Sequence, residues 1–204
     1  MNYTDLIREA AEWRLISLLL ECPSGPEWRL QVAALGRESA DPVLRAAAEA
    51  ARDEASEGVH HSIFGPGGPA PAREVSYHDN IQLGYLMSEL VNYYQAFAYQ
   101  PKVEEPEDHV AVETGFIGYL RLKQAYALAG DDAEAEAVTR EAAKQFLDDH
   151  LSRVAQPLAA SLAQSGVSYL AQVSGALLKR VGPPKGLPVM PQPEPADCEM
   201  TCGG

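Results

Sequence analysis

The chain has 204 residues, 46% of them hydrophobic, and a formal net charge of -13. That length suits one domain with a real core. The acidic balance lacks the basic footprint that nucleic acid requires and disfavours an anionic membrane surface, while it suits a basic partner or plain solubility.

Periodicity predicts helix after helix. The first covers residues 4–21, with Thr4 as its N-cap and Cys22-Pro23 as its stop. Its end, residues 15–20, is apolar nearly all round, which marks a central helix. A second helix covers residues 26–38. A third starts at Asp41-Pro42, an N-cap followed by proline at N1, and ends near Glu57-Gly58. Residues 59–79 break the pattern, because Gly65, Pro66, Gly67, Gly68, Pro69 and Pro71 disfavour regular structure. A loop this long in a helical domain is often functional. A fourth helix covers residues 80–99, with Leu83, Leu86, Met87, Leu90, Tyr94 and Phe97 at helical spacing.

Residues 106–129 form the fifth helix, with Pro106 at N1 and the stripe Val112, Phe116 and Leu120. Gly130 ends it, and Asp131 with Glu134 has capping-box spacing for a sixth helix running to about Asp149. A seventh carries Leu151, Val154, Leu158 and Leu162, with Pro157 inside its pattern as a kink or a new start. An eighth, after Gly166, carries Leu170, Val173, Leu177 and Val181. No strand is convincing, and there is no repeat of fixed period. Residues 183–204 are proline-rich and read as a disordered tail. The expected fold is all-α: a single-domain bundle of about eight helices over residues 1–182, one long irregular loop, and that tail.

The longest apolar run falls far short of the roughly 20 residues that span a bilayer. Asp5, Glu9 and Glu12 stand where a secretory signal would be basic. Cys22, Cys198 and Cys202 form no disulfide framework. These features place the protein in the cytoplasm, without membrane insertion.

The stretch EEPEDHVAVETGFIGYL, residues 104–120, carries the most information. It gathers Glu104, Glu105, Glu107, Asp108 and His109 around Pro106 and runs into a helix. On chemistry alone this is a well-made helix start, with acids where the helix dipole favours them. Catalysis has little support. GPGGPAP lacks the Lys-Ser/Thr of a phosphate loop, and its prolines remove N–H donors. Asp108 and His109 are neighbours that do not face each other on a helix, and no nucleophile is placed beside them. His60 and His61 point different ways on regular structure and read as a surface pair. Cys198 and Cys202 make half a zinc site at best. No cofactor and no metal ligand set is assigned.

The pattern of Glu105, Pro106, Asp108, His109, Val110, Ala111 and Glu113, followed by Phe116 and Leu120, resembles the hinge motif of the TorD/DmsD/NarJ family. These are cytoplasmic chaperones that mature molybdenum-containing redox enzymes. A second match lies upstream in Ile63, Phe64, Gly65, Pro66, Val75, Ser76 and Tyr77, with His61 where the family's loop often carries Tyr. The resemblance covers residues 62–128. It implies an all-helical, non-enzymatic chaperone that binds the N-terminal region of a molybdoenzyme catalytic subunit, a twin-arginine signal or a remnant of one. It also implies a monomer or a dimer that swaps domains about Pro106. Twin arginines beside an apolar stretch need carboxylates next to an apolar wall. Glu104, Glu105, Asp108 and His109 are the expected client contacts on one side, with Phe64, Tyr77 and Tyr94 on the other. Two alternatives stand on the residues alone. One is a helical adaptor unrelated to redox enzymes. The other is a metal- or histidine-dependent enzyme using Asp108, His109 and a histidine at 60, 61 or 78.

Overall fold

In the computed structural model, residues 2–79, 81–102 and 104–182 are described. The tail with Cys198 and Cys202 lies outside them. Helix α1 is Tyr3–Leu20, and its cap is Asn2 rather than Thr4, since the Asn2 side chain accepts from the Asp5 N–H at 2.9 Å. Helix α2 is Gly25–Glu38, and α3 is Pro42–Glu54, capped by Asp41 with Pro42 at N1 as expected. The third helix stops earlier than its sequence suggests. Ser56 starts a new one, accepting from the Val59 N–H at 3.2 Å, and α4 runs Glu57–Phe64. The stretch expected to be irregular from residue 59 therefore begins as helix, and its glycines and prolines take over only at Gly65. A single 3-10 turn, Glu74–Tyr77, interrupts the rest of that loop.

Helix α5 is Leu83–Ala96, α6 is Val110–Ala129, α7 is Ala133–Phe146, α8 is Ser152–Leu162 and α9 is Ser168–Val181. Asp132, not Asp131, caps α7, because Asp131 takes up a positive φ in the turn after Gly130. A π-turn, Leu147–Leu151, carries α7 directly into α8, and Pro157 sits inside α8. With that junction counted as one rod, the described residues hold eight helices, the number expected, although α4 was not among those expected and the sixth and seventh are joined. Among the described residues there is no strand, only one isolated antiparallel bridge, between Arg73 and His109.

Helices α1 and α6 form the central pair. Both are buried over long runs, residues 15–20 in α1 and 110–118 in α6. Their close approach rests on two glycines nearly one turn apart. A Cβ at Gly115 would lie 2.7 Å from the Tyr99 hydroxyl and 3.0 Å from Ser17 Oγ, and one at Gly118 would lie 3.1 Å from the Ala10 carbonyl. Ser17 uses that proximity to donate to the Ala111 carbonyl at 2.8 Å. Helix α7 covers α6, while α9 packs on α3 and α8. Arg180 of α9 reaches Glu12 at 2.8 Å and Asp41 at 3.0 Å, tying the last described helix to α1 and to the α3 cap. Among the described residues, no helix is long and apolar enough to cross a membrane.

Candidate functional site

The two matched sequence segments meet in space. Residues 72–75 lie antiparallel to residues 108–110: the Val110 N–H donates to the Ala72 carbonyl at 2.8 Å, and the Glu74 N–H to the Asp108 carbonyl at 2.7 Å. Side chains seal the junction. Asp108 is fully buried, and its Oδ1 accepts from both Nε and Nη2 of Arg73 at 2.8 Å. Its other oxygen receives the Val75 N–H at 3.4 Å.

This pairing moves the start of α6. His109 is the N-cap, its Nδ1 accepting from the Ala111 N–H at 3.2 Å, and the helix begins at Val110. Pro106 is therefore not the first helical residue. It lies in the preceding turn, where its carbonyl accepts from the His109 N–H at 2.9 Å. Glu107 and Asp108 stand before the helix, and Glu113 is the acid of its first turn. The physical reason is the bridge to the upstream loop. A residue whose carbonyl and carboxylate both serve residues 73–75 cannot also enter the helix.

The expected client contacts divide by exposure. Glu104 is exposed, and Glu105 and Glu107 are half-buried. Phe64 and Tyr77 are half-buried, and the Tyr77 hydroxyl donates to the Pro71 carbonyl at 2.5 Å. Asp108, His109 and Tyr94 are buried, at 0%, 4% and 4% exposure. The Tyr94 hydroxyl donates to the Glu107 carbonyl at 2.8 Å, so it holds the turn from beneath. These three buried residues position the turn; its surface is carried by Glu104, Glu105 and Glu107.

His60 and His61 do diverge, but they are not a surface pair. His61 is exposed and His60 is 5% exposed. His60 packs against Phe64 with ring centroids 4.9 Å apart and planes tilted by 55°, and lies 6.3 Å from His109 with planes 30° apart. Both imidazoles are neutral at neutral pH. Burial takes His60 down to about 4, with His61 adding to it, and takes His109 down to about 3, with His60 and Arg73 adding.

A buried polar cluster that sequence reasoning missed lies behind the hinge. Glu74 is fully buried and bonded on both sides, to His78 Nε2 at 2.8 Å and His150 Nδ1 at 3.0 Å. Burial alone would raise its pKa, but the bonds from His150 and His78 outweigh burial and hold it below the ordinary value. The π-turn is the element that carries His150. Glu113 is also fully buried, and among the described residues the only group its carboxyl meets for a hydrogen bond is the Glu74 carboxylate. Burial first, then the Glu74 and Asp108 charges and a side-chain hydrogen bond to Glu74, pushes its pKa well above the usual range and favours the protonated carboxyl. Glu113 lay within the recognised motif. Arg73 and His150 gave no local signal, since their partners are 35 and 76 residues away; of Glu74's two partners only His78 is local, four residues on.

Glu113 links this cluster to pH. The folded protein keeps a proton that the unfolded chain releases above about 4.5. Stability at this site is therefore full below 4.5 and is lost progressively as pH rises from there through the raised folded pKa. Glu113→Gln, neutral at every pH, is expected to be more stable than wild type at pH 7 by about 1 kcal/mol, with the gain shrinking toward pH 4. Urea midpoints at the two pH values measure this. A variant less stable than wild type at pH 7 would rule out a burdened Glu113.

A family model described as nitrate reductase delta subunit matches residues 31–160. That is more than half the chain, and it contains the upstream loop, the hinge, all of α6 and the π-turn. No curated protein matches the chain. The described helices, the motif pair and the model match agree. The chain belongs to the nitrate reductase delta subunit family, a branch of the TorD/DmsD/NarJ chaperones that mature molybdoenzymes.

Proposed function

We propose that this chaperone acts in the cytoplasm by binding the N-terminal region of a molybdenum-containing catalytic subunit, a twin-arginine signal or its remnant. It shields that region until the cofactor is inserted and the client is folded. The observation that supports this reading is the seal between the two motifs. Arg73 neutralises the one fully buried acid of the turn, Asp108, and leaves Glu104 and Glu105 uncommitted to any cation of the described chain nearer than the histidines. A client guanidinium pairs with such carboxylates through its planar fork.

The apolar half of a client has a place close by. A groove of about 950 Å³, lined by Leu18, Trp28, Tyr99 and Tyr119 with Arg14 and Glu21, reaches the linker at Ala98, Gln100 and Lys102. Phe64, half-buried against His60 and His109, and the half-buried Tyr77 offer further apolar surface. Asp108, His109 and Tyr94 contribute by holding the turn in place. The linker and Pro106 are also where a monomer would open to exchange helices in a domain-swapped dimer.

Titration calorimetry, in chelator-treated buffer, with a peptide bearing an arginine pair followed by an apolar stretch tests this. Wild-type binding is expected to weaken as salt rises, because exposed charges are screened. The double variant Glu104→Gln, Glu105→Gln should bind about tenfold more weakly, about 1.4 kcal/mol. Wild-type affinity in that variant would remove the acidic turn from the client site.

A further inference from the structure

We propose that His60, Glu105 and His109 form a binding site for one divalent transition-metal ion of the zinc class, tying α4 to the hinge. The three come from different segments: the middle of α4, the turn before Pro106, and the cap of α6. Glu105 lies between the two rings. Its Oε1 is 3.7 Å from His60 Nε2, and its Oε2 is 3.8 Å from His109 Nε2. One donor atom from each residue lies within 4.8 Å of the other two.

Ordinary side-chain bonding does not explain this cluster. Both carboxylate contacts are longer than a hydrogen bond. His60 Nδ1 is buried with no partner. Two imidazoles, each about 95% covered, and a carboxylate thus converge without satisfying one another. An ion held by the two Nε2 atoms and the carboxylate would join them, leaving His60 Nδ1 as a separate unpartnered atom of the ring. Four-coordinate zinc, with bonds of about 2.0–2.2 Å, needs donors roughly 3.4 Å apart. The two Glu105 contacts exceed that spacing by a few tenths of an ångström, and the ligand atoms of the two rings lie within 4.8 Å of each other.

The donor set chooses the ion. Calcium and magnesium take all-oxygen shells, whereas two nitrogens and a carboxylate suit zinc, cobalt, nickel or copper. Phe64 packs on both imidazoles, 4.9 Å from His60 and 6.5 Å from His109, and supplies an apolar wall. Glu105, with its side chain 22% exposed, marks the open side, where an ion enters and a water completes the shell. His109 Nδ1 accepts from Ala111, so its proton resides on Nε2. Binding through Nε2 moves that proton to Nδ1 and gives up the long 3.2 Å capping bond, with no net proton released.

The test uses the untagged full chain, stripped with chelator, and needs no client, so its failure leaves the chaperone reading untouched. Cobalt(II) titration is expected to give visible d–d absorption saturating at one equivalent, without a near-ultraviolet thiolate band. Zinc at saturation should raise the thermal midpoint, since it binds only the folded form. His60→Gln and Glu105→Gln should each weaken binding at least tenfold and abolish the midpoint rise, with native circular dichroism. Glu105 makes no hydrogen bond among the described residues, so its variant folds even if His60→Gln does not. Absence of cobalt binding to wild type at high micromolar concentration, a thiolate band from the cysteines, or wild-type binding by Glu105→Gln would each overturn the proposal.

Discussion

Phe116→Ala is expected to destabilise the protein by about 4 kcal/mol, the range for deleting a fully buried aromatic ring. Phe116 has no exposed surface. Its ring lies 4.9 Å from Tyr94 and from Phe146 and 5.3 Å from Tyr99, all at steep or tilted angles that aromatic pairs favour. It sits on α6 between Gly115 and Ile117, in the run where α6 meets α1, so the surrounding backbone has little freedom to collapse into the cavity. Tyr94 also bonds the Glu107 carbonyl and Phe146 precedes the π-turn, so the void would loosen the hinge from two sides. Urea unfolding followed by circular dichroism measures the loss. A cost below about 1 kcal/mol would show that the aromatic cluster repacks and is not the centre of the core.

Arg73→Met should cost about 3 kcal/mol, the low end for breaking a buried pair, because Asp108 keeps its charge with no cation beside it. The low end applies because the Arg73 side chain is 39% exposed and water shares its field. Methionine keeps most of the arginine's apolar stem, so the change isolates the charge. The double variant Arg73→Met, Asp108→Asn should recover part of the loss, since the amide is neutral and can still accept the Val75 N–H. Client binding should fall in the single variant as well, because the 72–75 segment and the 108–110 turn are held together through this pair. Unfolding midpoints for the single and double variants decide it. If both single and double variants match wild type, the backbone bonds at Ala72 and Glu74 hold the hinge without the ion pair.

On the proposed reading, stability and recognition are joined at the hinge. The residues matched to the family are mostly buried, and the acids free to meet a client lie at the motif's edge. Asp108→Asn and His109→Ala would therefore weaken a client by displacing the turn. Glu104→Gln and Glu105→Gln would act at the surface itself. Both pairs would give weaker binding, but only the first would also lower the unfolding midpoint.

The amino-acid sequence by itself determined the helices and the motif. Stripes such as Leu86, Leu90 and Tyr94, or Leu170, Val173 and Leu177, are read from neighbours three and four residues apart, and each of these residues is buried. Asp41-Pro42 and Gly130 marked helix ends because capping is local chemistry. Ser56 before Glu57 was an equally local cap, and α4 was legible there although the glycines and prolines beyond it masked it. The tertiary structure alone decided what the acids do. Asp108 and Glu105 stand three residues apart in one acidic turn. One is sealed against Arg73 and the other faces two histidines, one of them 45 residues upstream, because α4 and the loop after it fold back over the start of α6. Glu74 and Glu113 likewise have their pKa values shifted by burial and by neighbours, His150 for Glu74 and Glu74 for Glu113, which only the packed bundle brings within reach. Desolvation and a partner's field depend on distance in space, and spacing along the chain does not report it.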